Sequence, residues 1–234
     1  YQQDTYHYNR WNLGDFVLWH DKRPGDSIYW DSVIGPGRPS WNAQDPALIL
    51  RYFGDQIEIF CGGVDNLKRH HDYNIAIMES LSGKPLSRFW LHAAHLLVDA
   101  KKMSKSRGNI LYPKDLIARG VRPQQIRFLL TYGHYRTQQN FSDDILRKTL
   151  ARHEELIHWT DELGVSPSDD TSGDAAIAKP ILARFEQHMD DDLHVGAAVD
   201  AIIAELSQMA GRKNGAGLSA SEQRAVAGAL GRIN

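Results

Sequence analysis

Lys101-Lys102-Met103-Ser104-Lys105-Ser106-Arg107-Gly108-Asn109 puts four cations into seven positions, interleaves two serines and then reaches a glycine. Lysine supplies a mobile point charge with three donors, and serine hydroxyls and backbone N–H groups add short-range donors. Such a stretch suits a polyphosphate whose charge must be neutralised while one phosphoryl bond breaks. The competing reading, and the ordinary one for an arbitrary basic loop, is a solvated turn.

The chain on either side favours the first reading. Upstream, Gln56 to Cys61 is a short β-rich run broken by Gly62-Gly63, with Asp65 just beyond. Open α/β sheets keep their ligands where a strand runs into such a loop. A helix is expected over His70 to Leu81, with Ile75, Ile77 and Met78 inward, and a second strand over Phe89 to Val98. Strand, helix, strand suggests a parallel βαβ unit ending at the basic loop. Further back, Ser27 to Trp30 reads as extended and Gly35 to Pro39 as a rigid loop. Next comes a helix through Leu48, Ile49 and Phe53, with Asp45 as N-cap, Pro46 at the first helical position and Gly54 as the stop.

Downstream, a helix is expected near Lys114 to Arg119, and past Pro123 the pattern is helical throughout. Apolar segments run from Ile126 to Tyr132, Asp143 to Leu163 and Ala176 to Met189, the last with Pro180 in its first turn. Asp190-Asp191-Asp192 reads as the cap of a following helix whose face is Val195, Val199, Ile202, Ile203 and Leu206. Polar linkers at 164–175 and 211–220 separate these helices. The expected organisation is an α/β portion over residues 1–121 and an α-helical domain over 122–234.

Composition bounds the function. The 234 residues carry a net charge of −2, and the pI is near 6.6, so no overall basic field advertises nucleic acid. Cys61 is the single cysteine, which leaves no disulfide framework within the chain and fits a reducing, cytoplasmic setting. No apolar run is long enough to span a membrane. A chain beginning Tyr1-Gln2-Gln3 reads as the middle of something longer.

Lys102 to Ser106 resembles the full KMSKS signature of class I aminoacyl-tRNA synthetases. The flanks resemble the cysteinyl-tRNA synthetase family. Asp15 to Trp19 is similar to its DFALW segment. Trp30-Asp31-Ser32 with Gly35 to Pro39 and Trp41 is similar to WDSPWGPGRPGW. Gly62-Gly63-Val64-Asp65 with His70-His71 is similar to GGGxD…HHENE, and Trp90-Leu91-His92 stands for its Trp-Met-His. Arg127-Phe128, Gly133 to Arg136 and Asp190 to Asp192 match family positions too.

The resemblance implies the C-terminal half of a Rossmann-type catalytic domain followed by a helical bundle. It implies ATP, with Mg2+, and an amino acid as ligands, and tRNA as a possible acceptor. The amino-acid carboxylate would attack the α-phosphorus, giving an aminoacyl-adenylate. Lys102 and Lys105 would stabilise the growing phosphate charge, and Ser104 and Ser106 would help hold ATP. Gly62, Gly63 and Asp65 would approach the adenosine. Met103 would lie near the adenine or anchor the loop, and Trp41 and His70 would line the amino-acid pocket.

Three departures qualify the resemblance. Family members grip the substrate thiolate with a zinc held by two Cys, a His and a Glu. Here Asp45 stands for one Cys and Asn74 for the Glu, His70 is kept, and the other Cys has no counterpart. One imidazole and one hard oxygen make a poor zinc site, although further ligands could complete a metal site around Asp45 and His70. The HIGH signature is absent, so a missing N-terminal half or partner chain is expected to cover an open sheet edge. Within these 234 residues the helices have no counterpart of the family's anticodon-binding domain after them.

The readings that stand together are a cysteine- or related tRNA synthetase, a tRNA-independent amino acid:amine ligase like the mycothiol branch, and a non-catalytic paralogue binding a nucleotide or partner. A tRNA-binding face would draw on Arg122, Arg127, Arg136, Arg147 and Lys148.

Overall fold

The computed structural model describes residues 16–103, 108–170, 175–212 and 217–233. Contacts gather into two compact units, Tyr1–Ala93 and Ala94–Asn234.

The first unit opens on a ribbon in which β1 (Trp19–Asp21) runs antiparallel to β2 (Gly37–Pro39). The expected rigid loop over Gly35 to Pro39 is therefore half strand. Pro39 is tolerated because a two-stranded ribbon leaves edges that need no N–H. A Cβ at Gly37 would run into the His20 carbonyl and the Trp19 indole, so the close pairing needs glycine. The expected extended run at Ser27 to Trp30 reduces to a bridge between Trp30 and Gly37.

Helix α1 (Trp41–Tyr52) starts one turn earlier than the Asp45–Pro46 reading placed it. Its N-cap is Ser40, whose carbonyl already accepts from Ala43 and Gln44. Pro46 consequently sits in the second turn, where it forfeits one helical hydrogen bond but is buried. Gly54 follows the helix with φ +86°, the stop expected of it.

Strand β3 (Ile57–Gly63) leads through a 3-10 turn, Val64–Asn66, and a π-helical turn, Leu67–His71, into α2 (Asp72–Ser82). Strand β4 (Ser87–Ala93) then pairs parallel to β3, from Ile57 opposite Ser87 to Gly63 opposite Ala93. The expected strand–helix–strand unit is present. Met78 and Leu86 are its best-buried apolar side chains. Ile59 and Phe89, in register on the two strands, stay 55% and 58% exposed.

The strand expected over Phe89 to Val98 breaks at Ala93. Ala94 donates to the Tyr135 carbonyl and Leu97 to that of Gln139, so the chain changes partners within the second unit. There β5 (Leu97–Val98) runs between β6 (Lys101–Lys102), antiparallel, and β7 (Asn140–Phe141), parallel. Asp99 and Ala100 turn the β5–β6 hairpin with φ of 48° and 60°, the two positive values that a tight primed turn demands. Asn140 supports that turn by accepting from the Ala100 N–H at 2.7 Å.

The remaining elements are helical. Helices α3 (Pro113–Ala118) and α4 (Pro123–Tyr132) each begin on a proline, whose lost N–H would be unpaired in the first turn anyway. Helix α5 (Asp143–Glu162) is capped by the Ser142 hydroxyl, which accepts from Ile145. One core gathers Leu116, Val121, Ile126, Phe141 and Leu146. A second joins Leu163 and Val165 to α6 (Ala175–Asp190), α7 (Val195–Arg212) and α8 (Ala220–Ile233) around Ile181, Leu206 and Val226.

Two expectations fail here. Pro180 sits inside α6, past its first turn, because the helix begins at Ala175. The aspartate run does not cap α7. Asp190 ends α6, Asp192 takes φ +55° and turns its carboxylate to Tyr135 and Arg136, and the His194 ring accepts from Ala197 at the start of α7.

Candidate functional site

The candidate residues fall into sets that belong to separate units. In the first unit, Gly62 and Gly63 close β3 and Asp65 lies in the 3-10 turn behind them. Gly62 is forced by packing: a Cβ there would stand 2.5 Å from Cε1 and 2.9 Å from Nε2 of His71. At Gly63 the neighbour is the Asp65 carboxylate, 2.6 Å from the same imaginary atom.

His71 entered the sequence reading only as part of a family match, with no role of its own. It is buried, and its ring lies 4.6 Å from Phe60, 5.5 Å from Trp90 and 4.9 Å from His92. Its Nδ1 is 2.8 Å from Nε2 of His92. Strand register builds this cluster. Phe60 opposes Trp90 and stacks on it at 4.7 Å, while Gly62 opposes His92 and leaves room for the His71 ring. The alternation of Trp90 with His92 was the available signal, since alternate residues share a face of a strand. Burial is the main cause holding the His71 pKa below its ordinary value. The fields of His92 and His70 add to it, and Asp45 and Asp72 oppose it.

The residues expected at the amino-acid pocket, Trp41 and His70, and at the family's zinc position, Asp45, His70 and Asn74, come from α1, from the π-turn leading into α2 and from α2 itself. Trp41 and Asp45 lie one turn apart on α1, and His70 and Asn74 are likewise four residues apart. The Trp41 and His70 rings meet edge-on, with centroids 6.1 Å apart. Asn74 is 1% exposed, and neither of its amide atoms has a hydrogen-bond partner among the described residues. Nδ1 of His70 is buried and unpartnered in the same way. The donor set is a poor match for zinc, which prefers thiolate and imidazole in a closed tetrahedron. Among the described residues no three His, Cys, Asp or Glu side chains converge as a metal group. Cys61, on β3, is exposed.

In the second unit, Lys102 lies in β6 opposite Leu97, so the basic stretch begins as strand and not as loop. Its base is closed by two contacts. Asn109 donates to the Lys102 carbonyl at 3.4 Å, and the Met103 sulfur receives the Leu111 N–H at 3.4 Å. Met103 thus has an anchoring contact of its own. Ser104, Lys105, Ser106 and Arg107 lie outside the described residues.

Four of the five basic candidates for a nucleic-acid face make exposed ion pairs. Arg122 pairs with Glu154, Arg136 with Asp192, and Arg147 and Lys148 both with Asp144. Arg127 is exposed and makes no ion pair with a described residue.

Residues 2–151 match the family model described as tRNA synthetases class I (C) catalytic domain. The chain belongs to that family. Its relatives include proteins named cysteine--tRNA ligase. That of Chlamydia felis is 40% identical over 211 residues, covering 86% of this chain and 43% of the relative. That of Chlamydia caviae is 37% identical over 233 residues, covering 97% and 49%. That of Protochlamydia amoebophila is 37% identical over 200 residues, covering 83% and 41%. The chain thus spans less than half the length of these relatives. Among solved structures, the LeuRS of Agrobacterium radiobacter in a ternary complex with tRNA and LeuAMS aligns with a TM-score of 0.58 at 17% identity. It covers 86% of this chain and 31% of its own, a likeness of fold. Among the described residues no helix is long and apolar enough to cross a membrane.

Proposed function

We propose that this chain is part of an enzyme that activates an amino acid through an aminoacyl-adenylate, in the manner of a cysteine--tRNA ligase. The observation that carries it is 40% identity to such a ligase over 211 residues, in a chain holding an intact Lys102-Met103-Ser104-Lys105-Ser106. On this reading residues 1–121 are a Rossmann-type catalytic portion and 122–234 a helical domain. Lys102 and Lys105 meet the charge that grows on the α-phosphate as the carboxylate attacks. Ser104 and Ser106 donate to phosphate oxygens, and Met103 holds the loop to its base. Gly62, Gly63 and Asp65 serve the adenosine, and Trp41 and His70 serve the amino acid. Mg2+ bound to ATP supplies further charge neutralisation.

The exposed pair Ile59 and Phe89 supports a further segment of the synthetase fold, on this polypeptide or a second chain, packed over β3 and β4. The four ion-paired cations favour, as a second reading, transfer of the acyl group to a small amine in place of tRNA.

Amino-acid-dependent exchange of pyrophosphate into ATP tests activation. One amino acid should support exchange, and Lys105→Ala should reduce it by about 100-fold, the scale of losing a charge-stabilising donor. Exchange unaffected by Lys105→Ala would remove the basic loop from the chemistry. Silence with every amino acid, in a protein carrying the complementary half of a relative, would refute activation.

A further inference from the structure

We infer that the place where the resembling family holds zinc is, in this chain, a metal-free hydrogen-bonding wall made by His70 and Asn74 and flanked by Asp45 and Trp41. The inference rests on family membership and not on the activation reading. Four-residue spacing puts Trp41 and Asp45 on one side of α1, and His70 and Asn74 on one side of the turn entering α2. The edge contact of Trp41 with His70 joins the two sides.

The donor set then decides the chemistry. Asp45 offers a hard carboxylate and His70 one imidazole, and Asn74 offers a neutral carboxamide where the family has a carboxylate. Zinc sites of this kind are built from thiolate, imidazole and carboxylate donors, so this set lacks both the softness and the charge to close a tetrahedron. The chain's one thiol, Cys61, is exposed on β3. What the wall does offer is a buried amide with donor and acceptor both unmet and, four residues earlier in the chain, a buried imidazole nitrogen also unmet. A metal can use only lone pairs. A neutral group that both gives and accepts a hydrogen bond, such as a hydroxyl, a carboxamide or a water, satisfies the whole set. Recognition at this wall is therefore by hydrogen bonds to an uncharged polar group and not by a metal–sulfur bond.

Metal analysis of the purified chain tests this without reference to activity. The wild-type protein should carry zinc only at the background of a metal-free control, and neither added zinc nor a chelator should move its Tm. Asp45→Cys combined with Asn74→Glu should raise the ratio of zinc to protein from background to stoichiometric. Stoichiometric zinc in the wild-type chain, or a Tm lowered by chelator, overturns the inference and needs no variant to fold.

Discussion

Nδ1 of His71 and Nε2 of His92 stand 2.8 Å apart, a distance at which one ring must donate and the other accept. Both cannot be protonated and keep the contact. Burial and neighbouring imidazoles hold the His71 pKa below its ordinary 6.5. The unfolded chain therefore takes up a proton near pH 6.5 that the folded chain still refuses. This contribution to stability is full above that pH and is lost as pH falls through the folded value. Denaturant midpoints should drop between pH 7.5 and 5.5, conditions chosen to bracket roughly the histidine range. His71→Gln should flatten the drop, leaving the part due to His20, whose pKa burial also lowers. An unchanged pH profile in the variant would show that the pair does not govern it.

Gly62→Ala should destabilise the first unit more than Gly63→Ala. The new methyl at position 62 meets the buried His71 ring at 2.5 Å, and that ring is held by Phe60 and His92. Overpacking of this kind costs about 1–3 kcal/mol. At position 63 the obstacle is the carboxylate end of an exposed Asp65 side chain and not a buried ring. Urea titrations of the two variants compare them directly, and equal losses would contradict the packing argument.

Tyr132, Arg152 and Asp200 tie α4, α5 and α7 together. The Tyr132 hydroxyl donates to Asp200 at 2.7 Å, and Arg152 reaches the same carboxylate oxygen at 2.6 Å. Burial, and then the bond to Asp200, raise the Tyr132 pKa. A double-mutant cycle of Tyr132→Phe and Asp200→Ala should show a coupling of about 0.5–1.5 kcal/mol. Additive losses would mean that the hydroxyl and carboxylate do not act on each other in solution.

Substitutions at Asp192 should rank by backbone as well as charge. The Arg136 guanidinium, then the Tyr135 hydroxyl, hold its carboxyl below the ordinary carboxylate range. Its φ of +55° favours asparagine over alanine. Asp192→Asn should lower Tm less than Asp192→Ala, because it keeps a residue suited to the turn while removing the ion pairs. The reverse order would remove the backbone argument.

Much of the fold was legible in local chemistry. The prolines at 113 and 123, the glycine at 54 and the β-rich run before Gly62-Gly63 each announced a helix start, a helix stop or a strand end. The parallel pairing of β3 with β4 followed from their order and the helix between them. Pro46 and Pro180 both misled the reading, because proline marks first turns by preference. At Pro46 a buried ring offsets the lost hydrogen bond, and burial is not a local property. Pro180 is exposed, and its place within α6 has no such compensation. The apolar run from Phe89 to Val98 concealed a change of partners at Ala93, because both pairings use the same kind of residue.

The sequence by itself determined the family, the basic stretch, the glycines at the end of β3 and the presence of Asp45 and Asn74, since each is a matter of residue identity at short spacing. Only the tertiary structure decided that His92 faces His71, that Asp192 serves Arg136 and not a helix cap, and that four of the expected tRNA-facing cations are already paired. The first two join residues 21 and 56 positions apart, contacts set by strand register and helix packing, which no local pattern carries.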